Sequence, residues 1–428
     1  MTEEGFTKEE WMMLKKKLIG WIIFLCAMFL CCSACAEIST NLRKDTTYTT
    51  NNKVLTQSFV DSEGNTVMAE DLGYATLVNT YTSGTKLVKT EYLDAAGNPV
   101  NNAYGFSVRR LTYTMKNIRL EEFLDTEGNP APGPQGYARC ETDWEQGKKH
   151  IETRYYDQDG NPFRSSALFA RRTTVYSNDE KLKWSQPLSD TWYDADGNMM
   201  RGPDGYARVE YEYVPGTKRV CKTTYLDENG NLYYNRKVGY AVLERTNKDG
   251  RFIRDSYYGA DGNLCAGPKG YAYVELKYGN ETKPIEEKYF DVNGNPYKMP
   301  GGYYMLTRKY ALKSRVAEEA YFDADGSPCL SSEGVHAIRT TYRKDGKITQ
   351  RFYAGLDDKF MMHPTLGYAY YVNDYTGKTL TKTTYYDSNR KVIDCAAGYA
   401  IYQFSRDANR APAGASYLHA DGSPAVGP

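Results

Sequence analysis

Histidine is scarce in this chain, with 4 in 428 residues, and Trp is held to 5. His150, His336, His363 and His419 share no repeat position and no ligand spacing, so they outline no metal centre. Net charge is missing as well, because 54 Lys+Arg cancel 54 Asp+Glu. No basic stripe stands out along the sequence to neutralise a phosphate backbone, which argues against a nucleic-acid partner. The nine cysteines contain no C-x-x-C pair with zinc or redox spacing. Cys26, Cys31, Cys32 and Cys35 lie in an apolar N-terminal stretch. Cys140, Cys221, Cys265, Cys329 and Cys395 are scattered singly and read as unpaired packing residues. No G-x-S-x-G, Walker or G-x-G-x-x-G pattern occurs, and no helical periodicity appears after residue 40. No enzyme, cofactor or metal site is expected.

What is present is a repeat. A stretch seen most clearly at Tyr225-Leu226-Asp227-Glu228-Asn229-Gly230-Asn231 returns along the chain. Its Asp position, or the residue standing in for it, falls at Asp61, Asp94, Asp125, Asp157, Asp194, Asp227, Gly259, Asp291, Asp323, Ala354, Asp387 and His419. The gaps are 33, 31, 32, 37, 33, 32, 32, 32, 31, 33 and 32 residues. A fixed period of this size marks an array that grows along one axis by stacking like units. The 37-residue gap carries an insertion around Asn178–Asp190, which reads as a longer loop.

Each unit has three landmarks. Gly-Tyr-Ala, as at Gly270-Tyr271-Ala272, opens a run in which apolar and polar residues alternate, the mark of a strand with one buried face. A short turn with Gly and Lys follows, such as Pro215-Gly216-Thr217-Lys218, and predicts a β-hairpin. Asp-x-x-Gly-Asn-Pro closes the returning strand, with Gly supplying a positive φ and Asp capping the turn. In Asp194-Ala195-Asp196-Gly197-Asn198 the Gly is fourth and Met199, Met200 and Arg201 follow, so the run lacks an EF-hand's ligands and reads as a turn. The acidic pairs Glu121-Glu122, Glu286-Glu287 and Glu318-Glu319 sit in alternating strand patterns and read as solvated sheet face. A lone hairpin is marginal, so the units must stack.

Forty Tyr against 14 Phe suit a half-exposed pleated surface. One ring recurs at the same place: Tyr74, Tyr137, Tyr206, Tyr240, Tyr271, Tyr303, Tyr368 and Tyr399. Either these rings stack between successive units, or they face outward as a row of weak identical ligand sites strengthened by multivalency.

The N-terminus reads as an export signal. Lys15-Lys16-Lys17 precedes fifteen uncharged residues from Leu18 to Cys32, and Ala34-Cys35-Ala36 has the spacing of a cleavage site. An uncleaved anchor over Leu18–Ala36 and a lipoprotein signal acylated at Cys35 are the alternatives. Residues 1–36 are thus a signal peptide or anchor, 37–53 a polar spacer, and 54–428 the array with an incomplete last unit. Membrane contact is expected only through residues 18–36.

The Y-x-D-x-x-G-N turns with Gly-Lys hairpins resemble YD (Rhs-type) repeats. The aromatic hairpin unit is similar to the cell-wall-binding repeats of choline- and glucan-binding proteins, although the period is longer and their Trp-rich signature is missing. The first resemblance implies a β-shell or spiral scaffold, and the second implies polysaccharide recognition at the envelope. The expectation is an all-β chain, a tandem array of about twelve β-hairpin repeats in an elongated solenoid-like or spiral sheet, preceded by one N-terminal hydrophobic helix. Such a protein would be exported and non-enzymatic, and would bind cell-wall or host polysaccharide or a surface protein. The alternative is a structural stalk, and an enzyme with a site near Trp184 is the least favoured reading.

Overall fold

The alternation read in the sequence becomes strand throughout. The computed structural model describes residues 42–82, 85–115, 117–145, 149–177, 186–312, 314–406 and 412–427, and these carry twenty-five strands and no helix. The apolar segment 18–36, its expected helix, the tip of the 178–190 insertion and Trp184 lie outside the described residues. One compact unit ends at Arg208 and a second begins at Val209.

In the first unit Thr76–Thr82 pairs antiparallel with Lys86–Leu93, Val108–Thr114 with Asn117–Leu124, and Arg139–Glu145 with Lys149–Tyr156. Each hairpin also pairs with the next, as Lys89↔Arg110 and Leu120↔Glu141 show. In the second unit the same order runs from Val242–Lys248 with Arg251–Tyr258 to Ile401–Arg406 with Pro412–Leu418. This is the tandem antiparallel hairpin sheet that the repeat spacing and the Gly-Lys turns predict.

Two boundaries differ from the sequence reading. Residues 43–48, assigned to the spacer, form a strand paired with Val54–Val60. Their Thr-rich sequence suits a strand as well as a linker, and pairing with the first apolar strand decides between them. The turn position assigned to Ala354 belongs to Gly355, whose N donates to Lys359 O (3.0 Å) as Asp323 N donates to Ser327 O (2.8 Å). The period around it becomes an even 32, from 323 to 355 to 387. Part of the insertion is also ordinary sheet, since Pro187–Tyr193 pairs with Arg171–Tyr176.

The Gly-Tyr-Ala landmark splices one hairpin to the next. Ala75 N donates to Leu93 O (2.8 Å), and Ala75 O accepts from Phe59 N (2.9 Å). The same double bond recurs at Ala138, Ala241, Ala272, Ala369 and Ala400, all at most 1% exposed. Backbone groups this deep need such partners. Between Asp turn and splice the chain folds back on its own strand, with bridges such as Leu93↔Pro99 and Phe290↔Pro296. A second small turn then brings the Gly of Gly-Tyr-Ala to positive φ (Gly73 +72°) and presses it against the following unit, where an added Cβ would stand 2.8 Å from Ala103 N.

Eight residues after the turn position, at Gly133, Gly202 and Gly267, a ring lies directly on the backbone. A Cβ on Gly267 would meet Tyr257 at 2.4 Å, and one on Gly202 would meet Trp192 at 2.7 Å. Gly267 has ordinary φ, so any cost of Gly267→Ala comes from overpacking alone. It is expected to destabilise by about 1–3 kcal/mol in urea titration. Added to Tyr257→Ala it should cost almost nothing more, so a full penalty in that background would contradict this packing.

Candidate functional site: the ring ladder and its turns

All eight predicted tyrosines fall in one structural role. Seven of them lie between the ring that ends their own repeat's incoming strand and the ring that ends the next, and Tyr206 packs on the first of these. In the first unit the contacts run Phe59, Tyr74, Tyr92, Phe106, Phe123, Tyr137, Tyr155 and Phe169, with centroids 4.7–5.7 Å apart. Tyr206 packs on Trp192 at 5.2 Å. In the second unit Tyr225, Tyr240, Tyr257, Tyr271, Tyr289, Tyr303 and Tyr321 are 5.0–6.1 Å apart. Val335 then fills the ring position, fully buried in the same cluster as Tyr321 and Tyr353. Tyr353, Tyr368, Tyr385, Tyr399 and Tyr417 continue at 4.7–5.9 Å. The ring planes are tilted or edge-on, the arrangement that aromatic quadrupoles favour. Tyr137 and Tyr271 are buried, and the other six are half-buried.

Buried hydroxyls in this ladder need acceptors, and carboxylates on the same strand face supply some of them. Tyr289 Oη donates to Glu287 Oε2 (2.5 Å), Tyr321 Oη to Glu319 Oε1 (3.0 Å), and Tyr137 Oη to Glu121 Oε2 (2.8 Å). Arg308 binds both Glu287 and Glu319, and Arg109 binds Glu121 at 2.6 Å. Burial first, and then these carboxylates, push the Tyr289 and Tyr321 phenols well above their ordinary range. The acidic pairs are thereby divided across the sheet. Glu121 faces the ladder with Arg109, while Glu122 turns to Arg110 on the other side, so neighbouring acids never share a cleft.

The Asp turns are built alike. Asp291 Oδ1 accepts from Asn293 N and Asn295 N (both 2.9 Å), and Oδ2 accepts from Asn295 Nδ2 (3.3 Å). Asp61, Asp94, Asp125 and Asp157 repeat the pattern. The backbone N–H of the fifth turn residue is the main reason that these carboxyls sit below their usual range. Among the described residues no group of three or more His, Cys, Asp or Glu could hold a metal ion.

A second aromatic row was missed in the sequence. Tyr81, Tyr113, Trp144, Tyr278, Tyr310, Tyr342 and Tyr375 stand beside the hairpin turns, most of them at a strand bulge. Each reaches back to the preceding hairpin: Tyr113 Oη donates to Leu87 O (2.7 Å), Trp144 Nε1 to Ile118 O (2.9 Å) and Tyr342 Oη to Val316 O (2.7 Å). Cations from that preceding hairpin lie over the rings, as Arg251 over Tyr278 (5.1 Å) and Arg315 over Tyr342 (5.6 Å). The available signal was an aromatic two to four residues before most of the Gly-Lys turns.

The histidines occupy separate roles. His336 takes a splice position with its N donating to Ala354 O, His363 packs edge-on to Tyr353 at 4.6 Å, and His419 pairs with Asp394 at 2.7 Å. Burial lowers the His150 pKa to about 4. Cys140, Cys221, Cys265, Cys329 and Cys395 are free, and burial raises the Cys140 thiol to about 12, out of reach of thiolate chemistry at neutral pH.

No family model matches the chain, and no curated relative matches it. Among solved structures it is similar to TcdB2-TccC3-Cdc42, at 11% identity and TM-score 0.23, over 88% of this chain and 19% of that one. It is also similar to a Tc holotoxin pore of Photorhabdus luminescens, at 11% identity and TM-score 0.24, over 90% and 17%. The chain spans about a fifth of the length of the structures it matches.

Two outcomes follow from the ladder and the turns. Tyr289, 3% exposed between Tyr271 and Tyr303, should cost about 3–5 kcal/mol as Tyr289→Ala. Tyr289→Phe should cost only about 1 kcal/mol, because Arg308 still satisfies Glu287. Equal losses in chemical denaturation would mean that the hydroxyl, and not the ring, holds the units together. For the turns, folded carboxyls titrating below their ordinary 3.8 contribute stability above that value and lose it as pH falls through the folded pKa. Melting temperature should therefore hold from pH ~7 to ~5 and drop below pH ~4. Asp291→Asn should melt lower than wild type at neutral pH and converge with it in acid.

Proposed function

We propose that the chain is an exported, non-enzymatic structural repeat protein that presents a tandem β-sheet at the cell surface. The observation that supports this reading is the ring ladder. The aromatic groups most regularly repeated in the sequence pack against strand-end rings, and the Tyr137 hydroxyl among them is taken up by Glu121. A sugar-stacking site needs an uncovered ring face, and seven of the eight Gly-Tyr-Ala tyrosines have a ring on each side. The scaffold reading thereby gains over a ligand role for Tyr74, Tyr137, Tyr206, Tyr240, Tyr271, Tyr303, Tyr368 and Tyr399. Export rests on the Lys-rich, apolar and small-residue order of residues 15–36.

The test has two readouts on the full-length chain. Protease added to intact expressing cells should degrade it, and a chain that stays protected in the cytosol would remove export from the proposal. Tyr240, Tyr271 and Tyr303 changed together to Ala should lower the melting temperature steeply. A variant that keeps its melting temperature but no longer sediments with purified cell walls would restore the tyrosines as glycan sites.

A further inference from the structure

Charge that looks evenly mixed along the sequence is sorted by the fold. In the second unit the hairpin turns lie at one end of the strands and the Asp turns at the other, separated by about 20 Å of seven-residue strand. The described hairpin-turn residues in 214–219, 248–251, 278–285, 312–315, 343–347 and 376–379 hold ten cations against three acids. The Asp turns in 227–231, 259–263, 291–295, 323–327, 355–359, 387–391 and 419–423 hold ten acids against three cations, His419 aside. Within a chain of zero net charge, the described residues of the second unit thus form one basic edge and one acidic edge.

The basic edge has a regular row within it. Arg219, Arg251, Lys283, Arg315 and Lys347 stand 32 residues apart, one per hairpin. Two strand spacings of ~4.8 Å put successive members about 10 Å apart. Four of the five are held by the following hairpin. Arg219 lies over Phe252 (4.1 Å) and bonds Gly250 O, and Arg251 lies over Tyr278 (5.1 Å) and donates to Gly279 O at 2.7 Å. Arg315 and Lys347 lie over Tyr342 and Tyr375. Rings and carbonyls fix these cations without neutralising them. Among the described residues none of Arg219, Arg251 and Arg315 has a carboxylate within ion-pair distance.

The row also passes a depression. The hairpin Tyr273–Lys277 with Glu286–Phe290 has five-residue strands, against seven or eight in the hairpins before and after it. The shortfall opens a groove of about 890 Å³ that Lys248, Arg251, Arg254, Lys277 and Lys288 line with Glu275, Glu286 and Asp249. We infer that the hairpin-turn edge of the second unit, centred on this groove, is a docking surface for a linear anionic polysaccharide running across the strands. The cation row sets its direction, and the groove gives one segment of polymer contact on more than one side. Strength would come from many weak charge pairs engaged together, and would fall with salt. The preference for an extracellular polymer over nucleic acid rests on the export reading above.

The experiment uses the full-length chain in mild detergent, with immobilised heparin as a sulfated glycan and polyglycerol phosphate as a phosphodiester polymer. The chain should be retained on heparin at ~0.05 M salt and elute as salt rises. Retention on polyglycerol phosphate alone, a polymer without a sugar backbone, would overturn the polysaccharide as occupant. The quadruple variant R219Q/R251Q/R315Q/K347Q should elute earlier, with the slope of log affinity against log salt reduced by about one for each cation–anion pair removed. K237Q/K269Q/K298Q/K391Q, near the acidic edge, makes the same change in net charge and should elute with wild type. Circular dichroism checks that both variants fold. An equal shift in the two variants would reduce the effect to net charge and overturn the site, as would no retention of wild type on heparin. Stronger competition by double-stranded DNA than by either polymer would overturn the ligand class. The protease experiment tests export independently, so a cytosolic chain that still shows the edge-specific shift would remove the export reading and leave the docking surface standing.

Discussion

A two-stranded hairpin in water has nothing against which to hide a side chain, and the structure depends on how that problem is solved. The solution is the contact of one ring with the next. Phe123 meets Phe106 on one side and Tyr137 on the other, and Tyr289 sits in the same way between Tyr271 and Tyr303. Edge-on and tilted packing lets rings from alternate strand ends and splices interleave in a narrow row. Tyr serves this row better than Leu would, because the same side chain excludes water at the ring and meets a carboxylate at the hydroxyl. The Arg–Glu groups beside the row, Arg308 with Glu287 and Glu319 above all, follow from the need to satisfy those hydroxyls in partial burial.

The backbone imposes the second demand. Between two hairpins the chain must turn, double back and rejoin the sheet without leaving a buried N–H or C=O alone. The splice residue meets this with one bond to each neighbouring strand, and Ala fits because almost no space is left around it. Ser107 and His336 take the same bonds at that position, so the bonds matter more than the methyl group. The Gly residues under the rings and at the small turns follow from the same crowding: Gly267 leaves room for Tyr257, and Gly73 for the next unit's backbone.

Much of this was legible in the sequence because the repeat displays it many times over. The period, the hairpins, the Asp turn and the stacked-ring role open to Tyr271 and its equivalents could all be read from spacing and turn chemistry. Ala354 was misplaced by one residue because the repeat loses its Asp there and the neighbouring Gly carries the turn. Residues 43–48 looked like a linker because a strand of Thr and charged residues shows its nature only once it is paired. The bulged Tyr81, Tyr113 and Tyr342 were hidden for a different reason. Their partners are carbonyls, which leave no mark in the sequence, and the bulge breaks the alternation that would have announced them. The basic edge escaped because its cations are a full repeat apart and converge only in the folded sheet.

The hydroxyl-to-carbonyl bonds of the outer aromatic row join residues 26 or 27 apart, whether in the first unit or the second. The splices and the ring contacts are similarly short-ranged. Closing any native contact therefore costs the loop entropy of about one repeat, regardless of how long the chain is. Such an array can nucleate at any well-packed pair of units and grow outward. Length then becomes almost free to vary: adding or deleting one whole repeat rebuilds the same junction, whereas a fraction of a repeat brings a strand end where a splice is needed.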